Sequence, residues 1–216
     1  MKTNLHRSWT GGLFGWRDVA SFRGFLDDAK LKLTDARVQG WKCVAYTSKE
    51  PFIPILEQIK LDSYEYHFLI RPSGAHSVLV GAEGGMVEIL IQRTSLKEGI
   101  IAPRVFVDRL VTDLANSPDD RFLMGGVFAR IEGYGNSLRS IALWGADVAD
   151  AELFHRIRGN IAPYRVELRD VKRGSQILSI SSRGELTFNY DRPELLTDIT
   201  TTLKTLHDEG YIEWPK

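Results

Sequence analysis

An alternating polar and apolar stretch occurs twice in the chain, and it constrains the fold more than any other feature. In the first copy a run beginning at Tyr66 is followed by a run beginning at Ser77; the second copy has the matching runs at Tyr164 and Ser175. The spacing from tyrosine to serine is the same in both copies. In each copy a third run that begins with a glycine follows these two. Its spacing from the second run differs by one residue between the copies. We interpret the stretch as an internal duplication.

Each copy predicts three short strands joined by turns, with an amphipathic helix downstream. Alternation with a period of two is typical of a strand that buries one face. The repeated units are predicted at residues 64–115 and 164–209, and a hairpin followed by a helix at 122–158 forms a degenerate unit between them. The sequence therefore predicts an α+β fold with a predominantly antiparallel sheet, built from two or three strand-strand(-strand)-helix units. We expect the helices on one side and a single domain over residues 1–216.

Several further elements follow from local patterns. Apolar residues recur at helical spacing in residues 18–39, which predicts an extra N-terminal helix that Gly40 ends. Residues 8–16 are rich in glycine and tryptophan and show no regular period. Residues 41–46 alternate like a strand. Asp147 is predicted to cap a helix that runs through Ile157, and Gly210 to end the last helix of the chain.

Composition excludes some classes of site. Lys plus Arg and Asp plus Glu are equal at 28 each, so no overall positive charge draws the chain toward nucleic acid. Cys43 is the single cysteine, which excludes an intrachain disulfide and a cysteine-rich zinc site. The sequence has no apolar run of signal-peptide or membrane-spanning length, so we expect a cytoplasmic protein with no membrane contact. No motif predicts a cofactor, and the glycines at 81–85 lack the Gly-Lys-Ser/Thr of a phosphate loop.

The two copies differ on the face predicted to point away from the core. In the second copy that face is charged, whereas Tyr164, Val166 and Leu168 lie on the inner face. In the first copy it is too apolar to be fully solvated, which predicts a binding surface. Trp9 and Trp16 are added to this surface because exposed tryptophans favour a covering partner. The predicted binding residues are Leu69, Arg71, Leu79, Met86, Leu90, Trp9 and Trp16.

These features favour a non-catalytic binding or interaction protein. It would use a sheet face or groove to bind a protein partner, a second copy of itself or a small molecule. The first alternative is a metal-dependent hydrolase, since Glu65, His67 and Glu88 could supply two carboxylates and an imidazole on one face.

The second alternative is a nucleic-acid-binding protein, which the neutral net charge disfavours. It would use the arginine-bearing sheet face, with Tyr64 or Tyr134 stacking on bases. The basic residues of that face are Arg71, Arg165, Arg169, Lys172 and Arg173.

Overall fold

The computed structural model describes residues 8–16, 32–38, 41–48, 64–73, 76–81, 100–117, 119–131, 139–189 and 194–215. Helices and mainly antiparallel sheet coexist in it, so the predicted α+β class is confirmed. The chain forms two compact units. The first comprises Met1–Pro103, Tyr190–Leu196 and Trp214–Lys216, and the second comprises Arg104–Asn189 and Thr197–Glu213.

The first unit is built on strands that pair antiparallel in the order β2-β3-β4-β5-β1-β6. The predicted strands around Cys43, Tyr66 and Ser77 are present as β3, β4 and β5. The bounds are β1 Ser8–Trp16, β2 Lys32–Val38, β3 Trp41–Ser48, β4 Tyr64–Ser73, β5 His76–Gly81 and β6 Ile100–Ile101.

Residues 8–16, which show no regular period in the sequence, form strand β1; residues 10–15 pair with β5 and place Leu13 opposite Val78. The predicted N-terminal helix is wrong over residues 32–38, which form strand β2 with Leu33 opposite Val44 of β3. Strand pairing overrides local propensity there. Residues 18–31 of that prediction lie outside the described residues.

The second unit holds a sheet with the strand order β12-β11-β10-β8-β9 and a separate pair, β13-β7. All the pairings inside it are antiparallel. Its strands are β7 Arg104–Val105, β8 Phe122–Ile131, β9 Ser140–Trp144, β10 Ile161–Asp170, β11 Gln176–Ser181, β12 Glu185–Asn189 and β13 Ile212–Glu213. Its helices are α1 Val107–Asn116, α2 Glu152–Ile157 and, from Thr197 onward, α3 Glu194–Asp208.

Apolar side chains of the sheet and of the helices form the core of the second unit. Burial of each large side chain stabilises the fold by about 1.5–3 kcal/mol. The predicted helical stripes on α1 and α3 are buried here as expected. The core includes Leu110, Leu114, Met124, Val127, Phe154, Val166, Leu168, Leu178, Ile180, Leu186, Phe188, Ile199, Leu203 and Leu206.

The helix ends agree in part with the prediction. Gly210 lies two residues after the end of α3 and adopts φ 77°, a conformation that glycine reaches without strain, so its role in ending the helix is confirmed. Helix α2, however, begins at Glu152 and not at Asp147. The Asp147 carboxylate instead accepts a hydrogen bond from the Ala149 N–H at 3.0 Å, which closes a turn ahead of the helix. Within the described residues, no helix is long and apolar enough to cross a membrane.

Candidate functional site

One end of the second unit's sheet carries an open cleft of about 530 Å³. Because neighbouring strands are antiparallel, five strand ends meet at this edge. They are the ends of β8 and β11 and the starts of β9, β10 and β12. Segments that are far apart in the chain thereby come together. The lining consists of Arg130, Arg139, Ser140, Tyr164, Ser181, Ser182, Arg183 and Glu185.

The β8–β9 pair positions two of the arginines. Arg130 lies directly opposite Ser140 in the ladder, and Arg139 immediately precedes β9. The Ile131 N–H donates a hydrogen bond to the Arg139 carbonyl at 3.2 Å, which extends the ladder to the mouth of the cleft. Both arginine side chains are exposed. The strand pairing therefore fixes their backbones while leaving the guanidinium groups in solvent.

The turn between β11 and β12 positions the third arginine. The buried Ser181 hydroxyl accepts hydrogen bonds from the N–H groups of Arg183 and Glu185, at 3.3 Å and 3.2 Å. Gly184 adopts φ 77° and donates its N–H to the Ser181 carbonyl at 2.9 Å. This left-handed conformation requires glycine to avoid strain. The turn is thus internally hydrogen-bonded, and it holds Ser182 and Arg183 at the edge of the cleft.

A bulge at the start of β10 turns Tyr164 toward solvent. Pro163 lies opposite Ala129, but Arg165 lies opposite Phe128, so Tyr164 has no cross-strand partner in β8. Pro163 has no N–H to donate to the ladder, and bulges commonly occur at such positions. Tyr164 is 38% exposed, so its predicted place on the inner face with Val166 and Leu168, both fully buried, is wrong.

Positive charge predominates among the described residues that line the cleft. Arg130, Arg139 and Arg183 make no ion pair with any residue in the described ranges. The one carboxylate of the lining, Glu185, is already paired with Arg165 at 2.9 Å, and Arg165 also donates a hydrogen bond to the Thr187 hydroxyl at 3.0 Å. Guanidinium groups present fixed forks of N–H donors that match phosphate and carboxylate oxygens. The arrangement is suited to holding an anion.

A smaller cleft of about 270 Å³ lies at the opposite end of the same sheet, and its charges are balanced. Arg173 bridges Asp170 and Asp198 at 3.0 Å and 2.8 Å. Arg121 similarly bridges Asp119 and Glu209. The hydrogen bond from Arg173 holds the pKa of Asp170 below its usual range. Each of these two guanidinium groups is engaged by two carboxylates, and Arg173 thereby fastens β10 to α3.

The three predicted arginines that lie in the second unit, Arg165, Arg169 and Arg173, all form ion pairs. Arg165 and Arg173 are paired as described. The Nε of Arg169 donates a hydrogen bond to Glu167 Oε1 at 2.9 Å, and its Nη2 forms an ion pair with the same oxygen at 2.9 Å. Lys172 is exposed beside the smaller cleft. Arg130, Arg139 and Arg183 were not predicted because they lie on separate segments without periodicity. What they share is a position near the end of a strand.

The predicted surface of the first unit is described only by its strand register. Glu65 and His67 lie opposite Thr47 and Ala45 of β3, at alternate positions of β4. Leu69 is opposite Val80, whereas Leu79 is opposite Ile70, so Leu69 and Leu79 occupy register positions of different sheet faces. Their predicted common face is therefore wrong.

The remaining predicted residues are located as follows. Arg71 is opposite Val78 of β5, and Trp9 and Trp16 lie in β1. Met86, Glu88, Leu90 and Tyr134 lie outside the described residues. The described residues hold no cluster of three metal-ligating side chains.

Neither a protein-family model nor a curated protein sequence matches this chain.

Proposed function

We propose that the protein is a non-catalytic binding protein whose cleft at residues 130, 139–140, 164 and 181–185, hereafter the arginine cleft, takes an anionic small ligand. The observation that supports the proposal is a set of three arginines around one cleft whose guanidinium groups have no ion-pair partner among the described residues. Like charges held together repel one another, so their energy falls when an anion binds between them. The cleft volume of about 530 Å³ lies within the range of about 300–1,000 Å³ that is usual for small-molecule sites.

The composition of the lining favours binding over catalysis. Its titratable groups are arginines, one tyrosine and Glu185, whose carboxylate is engaged by Arg165. A general base needs a pKa near the working pH, and arginine remains protonated throughout that range. The hydrolase alternative, based on Glu65, His67 and Glu88, stays a prediction about the first unit, as does binding of a protein partner there.

We further propose that the fold arose from the duplication seen in the sequence. The second copy runs β10, β11, β12 and α3, and the first contributes the matching hairpin β4–β5 and helix α1. Strands β8 and β9 with α2 correspond to the degenerate central unit. In this proposal the arginine cleft is a specialisation of the second unit, because it combines a turn of the second copy with the central hairpin.

The test is calorimetric titration with inorganic pyrophosphate at low ionic strength. Loss of one charged hydrogen-bonding group costs up to about 1.5–3 kcal/mol of binding free energy, and solvent exposure of the group lowers this cost. We therefore expect each single variant to weaken pyrophosphate binding about three- to tenfold. The variants are Arg130→Gln, Arg139→Gln and Arg183→Gln.

The matched control is the triple variant of three other exposed arginines, Arg104, Arg156 and Arg158, each replaced by glutamine. This control is compared with the triple variant of the cleft, in which Arg130, Arg139 and Arg183 are all replaced by glutamine. Both triple variants remove three positive charges, but the substitutions of the control lie outside the cleft. If the two triple variants lose the same amount of pyrophosphate affinity, net charge alone explains the loss and the proposal is overturned. Absence of binding to the wild-type protein would also overturn it.

A further inference from the structure

Tyr164 adds an aromatic surface to the arginine cleft. Tyr164 is 38% exposed and makes no ring or cation contact with another residue of the described part. The π-face of a tyrosine stacks readily on a planar ring. The cleft therefore offers one apolar contact among its charged and hydroxyl groups.

The backbone holds this ring next to the charged turn. The Ser182 N–H donates a hydrogen bond to the Tyr164 carbonyl at 2.8 Å, which ties the bulge of β10 to the turn that carries Arg183. Arg165, the residue after Tyr164, pairs with Ser181 in the β10–β11 ladder. A ligand could therefore touch the aromatic ring and a guanidinium group at the same time, without rearrangement of the strands.

Cleft size argues for a ligand larger than an inorganic anion. A single phosphate needs one or two guanidinium groups, whereas the cleft spreads three of them around about 530 Å³. The remaining lining, with Ser140 and Ser182, supplies hydroxyl groups suited to a sugar or to further phosphate oxygens. Charge, hydroxyl groups and an uncovered aromatic face are the three features that a nucleotide would engage.

We propose that the anion is the phosphate part of a nucleoside phosphate, whose base stacks on Tyr164. This inference rests on the proposed function, since it names the ligand class of the same cleft. Base–aromatic stacking contributes enough that a free diphosphate and its nucleoside form differ measurably in affinity. The nucleotide is bound as a small molecule, and the protein's equal numbers of acidic and basic residues give it no general attraction for polynucleotides.

The experiment compares pyrophosphate, ADP and adenosine by calorimetry in one magnesium-free buffer. We expect ADP to bind about tenfold more tightly than pyrophosphate, the lower part of the range for stacking on an aromatic side chain, and adenosine to bind weakly. Tyr164→Leu removes the preference for ADP and leaves the affinity for pyrophosphate unchanged. Tyr164→Phe retains the preference, because the π-face is kept.

The outcomes separate this inference from the proposed function. Equal affinities of ADP and pyrophosphate, or an ADP preference that persists in Tyr164→Leu, overturn the nucleotide inference and leave anion binding intact. Failure of both ligands to bind overturns the proposed function. A single-stranded oligonucleotide that binds far more tightly than ADP overturns the small-molecule assignment in favour of a polynucleotide.

Discussion

Gly125 gives a quantitative test of the packing on the charged face of the second unit. A methyl group added at this position would lie 2.3 Å from Nε, 2.7 Å from Cδ and 2.8 Å from Cγ of Arg169. Three atoms in the middle of the side chain would have to move, so the guanidinium must leave its place. Gly125→Ala therefore breaks the Arg169–Glu167 pair, in which the Glu167 side chain is only 12% exposed.

The expected loss follows from what the displaced pair contributes. Hydrogen bonds to charged groups are worth about 1.5–3 kcal/mol, and partial solvent access to Arg169 reduces this to about 1–2 kcal/mol. For a chain of this size each kcal/mol corresponds to about 2–4 °C in Tm. We expect thermal unfolding, followed by circular dichroism, to show a Tm about 2–8 °C lower in Gly125→Ala.

A double-mutant cycle isolates the cause. Arg169→Ala removes the three atoms that lie nearest to the added methyl group, and the pair with Glu167 is then already absent, so Gly125→Ala should cost much less in this background. Gly159→Ala is the matched control, since nothing lies within 4 Å of its added methyl group. The reasoning is refuted if Gly125→Ala is as damaging without Arg169 as with it, or if its Tm equals that of the wild type.

Three further predictions concern the ends of the second unit. Gly184→Ala should lower stability by about 1–2 kcal/mol in denaturant unfolding, because alanine is strained at φ 77°; an unchanged midpoint would contradict the turn geometry. Asp170 has a lowered pKa, so its pair with Arg173 contributes stability above the unfolded value of about 3.9 and loses it as pH falls through the folded value. Asp170→Asn should flatten the acid limb of the stability profile, and an identical limb would refute this. Burial, together with the hydrogen bond to Asp113, raises the pKa of Tyr211 to about 12, and Tyr211→Phe should cost about 0.5–1.5 kcal/mol at neutral pH, where an unaltered Tm would refute the bond.

Local pattern predicted the elements whose burial is one-sided. On α3 the stripe of Ile199, Leu203 and Leu206 faces the core, and α1 buries Leu110 and Leu114 in the same way. When one face of an element is buried, apolar residues recur in the sequence at the spacing of that element. Strands β4 and β5 were predicted from their alternation with a period of two. Their faces were matched incorrectly, because the register that pairs Ile70 with Leu79 depends on partner strands.

The arginine cleft could not be predicted because its members are joined only by topology. Strand β10 lies between β8 and β11, so the turn that carries Arg183 comes beside the strand end that carries Arg130. No spacing in the sequence encodes this order. The exposure of Tyr164 depends on a bulge at Pro163, which a strict period of two cannot anticipate. The sequence also does not show which arginines are neutralised by a carboxylate. The structure shows ion pairs for Arg165 and Arg169.

The most direct test of anion binding by the arginine cleft is protection of individual arginines from chemical modification. Phenylglyoxal reacts with exposed guanidinium groups, and mass spectrometry of peptides measures the extent of reaction at each arginine. With pyrophosphate present, we predict slower modification of Arg130, Arg139 and Arg183 and unchanged rates at Arg156 and Arg158. Equal slowing at all five arginines, or none at the three of the cleft, would contradict the account.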